Sequence, residues 1–477
     1  MKTTPTAMLK KAELPYDLGH TLDHARRVLG ANFTTAVNSD LRTIVKANLR
    51  MLRRYGWAGR NGNIERARSL EYLLANAFGF RIMGVLHGYP KGKHELTWAE
   101  VKDLAAQANP RLLANEPAKV FGEPKPEGGV RSITTFGRVQ RANQSMARDI
   151  IHVRHGQSKY EYARKGRGRE ALITDINNAN RNGGVRALGT LDVKYFFPSI
   201  NRAMVYEVLH VSKAMIDHTL FVHDHTHVHI YGDFISEHAV RAGLPQGALS
   251  SVIVAGKVIE PCLDKVPARF IGSNIDDVTI GDKSVGEVQA LLDTLTAALE
   301  EQYPGSPLFL KFQHAFKIGS RADILGYWPR PNPVKYGGAL RFSPSEKAIR
   351  RHYVKVATEL LMLPIDEWPA KQERMAYAWA ASFKNWGGMM GGREFAQTAF
   401  GDVLWPILFE LHDPVQTDLK TINDPKAKRR YAAEVAHLLV PECVLVREVA
   451  DAIGPMASLC DPLPVKVPIP LGTNPKS

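Results

Sequence analysis

The sequence contains little cysteine and no long apolar segment. Its three cysteines, Cys262, Cys443 and Cys460, are far apart and lack the paired spacing of a metal motif. This absence argues against a zinc-finger module and fits a reducing compartment. No run of about 18 apolar residues is present, and the first residues lack the cationic-then-apolar pattern of a secretory signal. We therefore expect a soluble cytoplasmic protein with no membrane partner.

Acidic residues are in deficit. The 477 residues include 62 Lys and Arg but only 48 Asp and Glu, which gives a formal net charge of +14. Such a basic excess favours a polyanionic partner, most often nucleic acid, although non-enzymatic RNA binders share it. Near the N-terminus, helical periodicity accompanies a basic set that either follows a phosphate backbone or forms a solvated helix face. This set comprises Lys46, Arg50, Arg53, Arg54 and Arg60.

The stretch Ile271–Asp282, IGSNIDDVTIGD, predicts a β-hairpin that carries Asp276 and Asp277 at its bend. Two carboxylates this close repel each other unless a cation or hydrogen bonds offset the charge. Mg²⁺ prefers hard oxygen ligands and is the simplest such cation. Taken alone, however, the stretch is more often a solvated acidic turn.

Three other stretches predict elements that bear on this hairpin. Residues 188–200, LGTLDVKYFFPSI, predict a buried strand that ends at Asp192. Residues 241–260, RAGLPQGALSSVIVAGKVIE, predict a Gly/Pro turn and a helix of small residues, which lets a backbone or base pair approach closely. Residues 343–346, Ser-Pro-Ser-Glu, have the pattern of a capping box and predict the start of a long helix through Met362.

Two segments combine basic residues with turn or aromatic residues. Residues 119–142 predict two strands around a Gly/Pro-rich turn, which Lys125 and Arg131 flank with cations suited to a phosphate group. The segment Tyr160–Glu170, YEYARKGRGRE, suits a nucleic-acid strand because bases stack on aromatic rings while cations meet phosphates. An exposed basic loop without a special role is the alternative for this segment. Its basic members are Arg164, Lys165, Arg167 and Arg169.

Residues 216–233 contain four alternating histidines. If the segment is a strand, its side chains repeat every two residues and the four imidazoles share one face. A polar strand face is favoured over a zinc site, because neighbouring positions along one strand rarely give closed tetrahedral geometry and no cysteine assists. The four are His223, His225, His227 and His229.

In this order, the motifs resemble the palm of prokaryotic reverse transcriptases, the group that contains group II intron, retron and phage-defence enzymes. LDVKYFFPSI, GLPQGALSS, NIDD and DILGY carry the resemblance, which covers residues 119–330. It implies an α+β right-hand polymerase fold with four parts. These are a helical basic N-terminal extension (1–116), fingers and palm (117–335), a helical thumb and C-terminal region (336–461) and a Pro-rich tail (462–477).

The resemblance implies two-metal nucleotidyl transfer with two Mg²⁺ ions, for which Mn²⁺ is a substitute. Asp192, Asp276 and Asp277 are the implied catalytic residues and metal ligands, and the Val193 carbonyl completes the metal shell. The remaining implied roles fall into two groups. The implied nucleotide-binding residues are Lys125, Arg131, Phe197, Gln246 and Gly247, and the implied primer and template contacts are Arg164, Lys165, Arg167, Leu325 and Gly326.

The implied activity is that of an RNA-directed DNA polymerase that joins dNTPs, acts in bacterial antiphage defence, and has relaxed or absent templating. Its partners would be a noncoding RNA template and a DNA product, and a second copy of the chain or a partner protein stays open. An RNA-dependent RNA polymerase is one alternative, against which the bulky Phe197 speaks, because its ring would exclude a 2′-hydroxyl. A catalytically silent RNA-binding scaffold is another.

Two departures from the family pattern concern the hairpin and the lysine segment. Asn274 stands where the family usually has an aromatic residue before the first hairpin acid, which puts fidelity or templating in doubt without removing a metal ligand. The segment Lys311–Lys317, KFQHAFK, matches the family's lysine-bearing segment only loosely, so the sequence does not select one lysine.

Overall fold

The computed structural model describes residues 14–90, 95–124, 130–164, 166–232, 234–320, 322–330, 340–383, 405 and 408–440. Within these ranges the chain combines helices with three small sheets, so the expected α+β class is confirmed. The predicted sites Lys125 and Lys165 and the Pro-rich tail lie outside the described residues. Among the helices that are described, none has the length and apolarity needed to cross a membrane.

Helices precede the first strand, and their starts follow from local capping. Thr34 caps the second helix by accepting a hydrogen bond from the Val37 amide, and Thr97 forms a capping box with Glu100. The helices are α1 (Leu18–Leu29), α2 (Thr35–Arg60), α3 (Ile64–Asn76), α4 (Phe78–Gly88) and α5 (Trp98–Gln107).

The middle of the chain alternates strands and helices. Its elements are β1 (Ala118–Pro124), β2 (Val130–Thr135), α6 (Arg138–His155), α7 (Arg169–Gly183), β3 (Ala187–Val193), α8 (Phe196–Ser199), α9 (Arg202–Val208), β4 (Val228–Tyr231), α10 (Glu237–Ala242), α11 (Ser251–Leu263), β5 (Phe270–Asn274), β6 (Asp277–Asp282), α12 (Val285–Glu301) and β7 (Leu310–Lys317).

The last described part is a hairpin followed by helices. Its elements are β8 (Tyr327–Arg330), β9 (Arg341–Pro344), α13 (Glu346–Leu361), α14 (Trp368–Ala381), α15 (408–421) and α16 (Pro425–Leu439). The long helix begins at Glu346 and not at the predicted position, because Ser343 and Pro344 pair with β8. Ser345 is its cap and accepts a hydrogen bond from the Ala348 amide.

Three sheets organise the strands. A four-stranded antiparallel sheet has the order β5-β6-β3-β7, a three-stranded sheet has the order β2-β1-β4, and β8 pairs with β9. β1 and β4 are parallel, whereas β1 and β2 are antiparallel. The strand prediction for the histidine segment is wrong for most of its length, because β4 begins at Val228 and leaves three of the four histidines in the preceding loop.

The four-stranded sheet separates two apolar cores. Leu191 of β3 and Ile280 of β6 belong to a core that also includes N-terminal residues such as Leu41, so the helices before residue 116 pack in the same core as one sheet face. Leu188 belongs to the second core, which contains Tyr353 of α13. Because side chains alternate along a strand, Asp192 projects to the face of Leu188, opposite Leu191. The alternation thus places this carboxylate on the side that faces α13.

A matched pair of glycine substitutions tests how tightly α12 packs on the sheet. A methyl group on Gly189 would lie 2.6 Å from Val288 Cγ1 and 3.0 Å from Leu292 Cδ1, whereas Gly286 has no atom within 4 Å of that position. We expect Gly189→Ala to lower the free energy of unfolding by about 1–3 kcal/mol through overpacking. Gly286→Ala, in the first turn of α12, should leave it unchanged or raise it by up to about 1 kcal/mol. Urea denaturation of both variants measures the difference, and equal stability would contradict this packing.

Candidate active site

A cleft of about 1440 Å³ opens between the end of the four-stranded sheet, strand β2 and helix α13. It gathers acids from the sheet and cations from the surrounding elements. Most of the predicted site residues in the described part of the chain line it. They are Arg131, Asp192, Val193, Gln246, Asp276, Asp277, Leu325 and Gly326.

The acids converge through strand register. β3 and β6 are adjacent and antiparallel, and Asp192 lies directly opposite Asp277. Asp276 occupies the bend between β5 and β6, and its carbonyl accepts a hydrogen bond from the Val193 amide at 3.3 Å. The predicted hairpin is confirmed, with Asp276 in its bend and Asp277 at the first position of β6, and the strand that carries the third acid pairs directly with it.

The electrostatics of the site favour neutralisation of these acids. Burial, followed by the negative charge of Asp192, raises the pKa of Asp276. Asp277 remains accessible to solvent but lies between the cleft walls. The cleft walls displace part of the water around its carboxylate, and this desolvation, together with the negative charges of Asp276, Asp192 and Asp323, raises the pKa of Asp277 to about 7. A bound cation would relieve both shifts, because nearby positive charge favours the ionised carboxylate.

Two basic side chains already offset part of this charge. Lys311 of β7 places its Nζ atom 3.1 Å from Oδ2 of Asp192. The positive charge of Arg131 on β2 lowers the pKa of Asp276, and that of Lys311 acts in the same direction. The sequence leaves the choice of lysine in Lys311–Lys317 open, and the structure brings Lys311 to the acids.

The bend that carries Asp276 is held by a buried glutamate that the sequence did not indicate. Ile275 has a φ of +65°, a conformation that is costly for a β-branched residue. Both carboxylate oxygens of Glu161 accept the Ile275 amide at 3.3 Å, and backbone hydrogen bonds join Tyr160 and Tyr162 to Ser273. Burial raises the pKa of Glu161. Its position before a basic loop gave no sequence signal for this role.

The loop containing the PQG sequence connects two walls of the cleft. The Gln246 carbonyl accepts a hydrogen bond from the Thr134 amide at 2.7 Å, which attaches the loop to β2, and Gln246 Oε1 is buried without a protein partner. On the other side, the Leu244 amide donates to the Phe197 carbonyl at 2.9 Å. Gly247 has a φ of +109°, and a Cβ atom there would lie 2.5 Å from the Thr134 oxygen. Only glycine fits this position without displacing β2.

The aromatic residues after Asp192 are arranged differently from the expectation. Tyr195, Phe196 and Pro198 line the cleft, whereas Phe197 is not among the lining residues and packs against the apolar core. The Phe196 ring is buried and its centroid lies 6.0 Å from that of Phe197. Phe196 is thus a core residue that is only 2% exposed, and the half-buried Phe197 is the more accessible of the two rings.

Among the described residues of the segment Tyr160–Glu170, one lines the cleft, and it is not one of the predicted contacts. Arg167 stacks over Tyr162 at 4.2 Å and pairs with Asp175 at 3.4 Å, and neither Arg164 nor Arg167 lines the cleft. Arg169 does line it and stacks over Phe383 at 4.5 Å. Many of the aromatic and basic side chains in this segment thus contact other residues of the protein.

The far wall of the cleft is built on a strained turn and a basic helix face. Leu325 and Gly326 both have positive φ values, +51° and +90°, and the Gly326 carbonyl accepts the Ser345 amide at 2.8 Å. This bond places the turn against the start of α13. Residues four apart on α13 share one face, and that face supplies basic cleft residues that the sequence did not single out. They are Lys347, Arg351 and Lys355.

The donor set of the cleft suits Mg²⁺, although the acids are not arranged around an ion position. Asp192, Asp276, Asp277 and the Val193 carbonyl supply hard oxygen donors. The raised pKa values of the two hairpin acids indicate charge that a divalent ion would offset. Within the described ranges, no three His, Cys, Asp or Glu side chains are close enough to hold a metal ion as they stand.

Comparison of the whole chain with known proteins found no match, either among models of protein families or among curated proteins.

The pH dependence of stability tests the environment of Asp277. Its folded-state pKa of about 7 exceeds its ordinary value of 3.8, so between these values the folded chain binds more protons than the unfolded chain. Stability therefore falls as pH rises through this window and stays lowered above it. Asp277→Asn removes the effect, and without divalent ions we expect its Tm to exceed the parent's by a few degrees at pH 8 but not at pH 4.

Thermal unfolding across this pH range measures the effect. Asp103→Asn, on the exposed surface of α5, is the matched control and should follow the parent within about 0.5 kcal/mol at every pH. Identical pH profiles for Asp277→Asn and the parent would contradict the raised pKa.

Proposed function

We propose that this protein is a nucleotidyltransferase that extends a nucleic-acid primer, and specifically an RNA-directed DNA polymerase of the reverse transcriptase type. The observation that carries the proposal is the register of Asp192 against Asp277, with Asp276 at the adjoining bend, inside a cleft with basic walls. Motifs that are far apart in the sequence, including the PQG loop and Leu325-Gly326, line the same cleft. A role in antiphage defence with a noncoding RNA, and relaxed templating, belong to the proposal through the family resemblance.

Each wall of the cleft has a distinct task in this proposal. Asp192, Asp276, Asp277 and the Val193 carbonyl would hold Mg²⁺, which when bound activates a primer hydroxyl and neutralises the triphosphate. Arg131 and Lys311 place positive charge beside the acids, where a triphosphate would lie. Lys347, Arg351 and Lys355 present cations to a nucleic-acid backbone from the opposite side.

Two observations bear on the alternatives and make both of them worth testing. The position of Phe197 outside the cleft lining weakens its support for DNA over RNA synthesis, which brings an RNA-dependent RNA polymerase forward. The ion pair between Lys311 and Asp192 occupies one of the implied metal ligands, as a catalytically silent RNA-binding scaffold would allow.

Primer extension by the full-length protein tests the proposed activity. With a DNA primer on an RNA template, Mg²⁺ and dNTPs, we expect incorporation by the parent. Asp192→Asn and Asp276→Asn should each reduce it about a thousandfold, because metal-bound charge stabilisation is worth several kcal/mol. Asp293→Asn, on the exposed side of α12, is the control and should retain activity.

Two outcomes would count against the proposal. Equal incorporation by the parent and Asp276→Asn would place any activity outside this cleft. Preferential use of rNTPs by the parent would favour the RNA polymerase alternative. Sequencing the nucleic acid that copurifies then separates the modes of synthesis: an RNA with its complementary DNA supports templated synthesis, and repetitive DNA without a matching RNA supports untemplated extension.

A pair of aromatic substitutions tests which ring contacts the sugar. If the half-buried Phe197 ring excludes a 2′-hydroxyl, Phe197→Ala should increase rNTP use relative to dNTP use about tenfold or more, as expected for loss of a steric contact worth 1–3 kcal/mol. Phe196→Ala, at the buried ring beside it, should change this ratio little. Steady-state incorporation of both nucleotide types by each variant is the measurement, and the opposite ranking would contradict the role of Phe197.

A further inference from the structure

Helix α2 carries a continuous basic surface far along the chain from the candidate active site. Its exposed and half-exposed cations recur at spacings of three and four residues and therefore share one side of the helix. The opposite side, with Leu41, Val45 and Leu52, is buried in the apolar core. We call this surface the basic stripe, and it consists of Arg42, Lys46, Arg50, Arg53 and Arg54.

Among the described residues, no carboxylate lies within ion-pair distance of any member of the basic stripe. Arg50 donates a hydrogen bond to the Lys46 backbone carbonyl at 3.3 Å, which leaves its charge unpaired. Like charges four residues apart on a helix destabilise it, because they repel across one turn. The stripe thus concentrates uncompensated positive charge that a polyanion would offset.

We infer that the basic stripe binds the phosphate backbone of a nucleic acid, as an anchor separate from the cleft. At 1.5 Å per residue, the stripe extends about 18 Å, which matches several phosphates of a strand or duplex. One turn further along α2 lies Trp57, and Arg66 of α3 is placed over its ring at 5.7 Å, so an aromatic ring and a further cation continue the surface. Cations beside an aromatic side chain are typical of surfaces that bind nucleic-acid strands.

The construction of the helix favours nucleic acid over a membrane surface. A helix that lies on a membrane inserts an apolar face into the lipid boundary, whereas the apolar face of α2 is already buried in the protein core. None of the stripe residues lines the cleft. The stripe therefore adds a binding surface whose existence does not depend on the proposed polymerase activity.

Salt-dependent binding of a labelled RNA hairpin to the full-length protein tests the inference. Each cation that neutralises a phosphate contributes about 0.9 to the slope of log K against log salt on duplex nucleic acid. Replacing all five stripe residues with Gln should reduce the slope by up to about 4.5 and weaken binding at physiological salt roughly tenfold or more. A second variant that replaces its four arginines with Lys keeps the charge and should retain the slope.

A matched control removes the same charge elsewhere. It replaces five exposed cations that lie outside both the stripe and the cleft, and it should change the slope by less than about 1. Circular dichroism checks that all variants are folded. The control positions are Arg27, Lys102, Arg181, Lys265 and Lys283, each changed to Gln.

The outcomes separate the stripe from the cleft. Equal slopes for the stripe and control variants would overturn the inference, since net charge alone would then explain binding. Unchanged RNA binding with lost binding to phosphatidylserine vesicles would overturn it in favour of a membrane surface. If the stripe variant loses RNA affinity but still extends a short primer–template, the inference stands, and it also stands if the parent extends no primer but shows the predicted slope change.

Discussion

Repulsion among three carboxylates is the constraint on which the candidate site depends. The pairing of β3 with β6 sets Asp192 opposite Asp277, and the two-residue bend adds Asp276. Each neighbouring element then limits the resulting cost. Lys311 pairs with one acid, Arg131 offsets another, and Glu161 holds the backbone of the bend through the Ile275 amide. Without such partners, the repulsion among these acids would lower stability, and a bound cation would offset it further.

The walls around these acids are coupled through a few backbone hydrogen bonds. The PQG loop bonds to β2 through Gln246 and to the turn after β3 through Leu244, so it connects the basic strand with the strand that carries Asp192. Glycine at position 247 makes this possible because any side chain would meet the Thr134 carbonyl. On the far side, the bond from Ser345 to Gly326 seats α13 over the cleft. These bonds fix the positions of the three walls relative to one another.

Local sequence patterns predicted the individual elements of this structure better than they predicted the contacts between distant residues. The hairpin and the strand ending near Asp192 follow from β-favouring residues, an apolar run and turn chemistry, whereas the convergence of their acids is implied only by the family resemblance. The helix start at 343–346 was misplaced because β-pairing with Tyr327 and Trp328 overrides a capping pattern. The four-histidine alternation suggested a strand, yet only its last residues pair with β1. Glu161 and Lys311 acquire their roles from contacts across more than a hundred residues, which no local pattern records.

The ion pair between Lys311 and Asp192 bears on the choice between an active polymerase and a silent scaffold. The Lys311 side chain is 64% exposed, whereas that of Asp192 is 18% exposed. An exposed lysine gains little from such a pair, because water and salt screen its charge. A divalent ion carries twice the charge and accepts several oxygen ligands at once, so it competes well for the same carboxylate. The lysine would remain close enough to meet the negative charge of a bound triphosphate. The ion pair is therefore compatible with an active site whose acids bind a divalent cation. It does not by itself favour the catalytically silent RNA-binding scaffold.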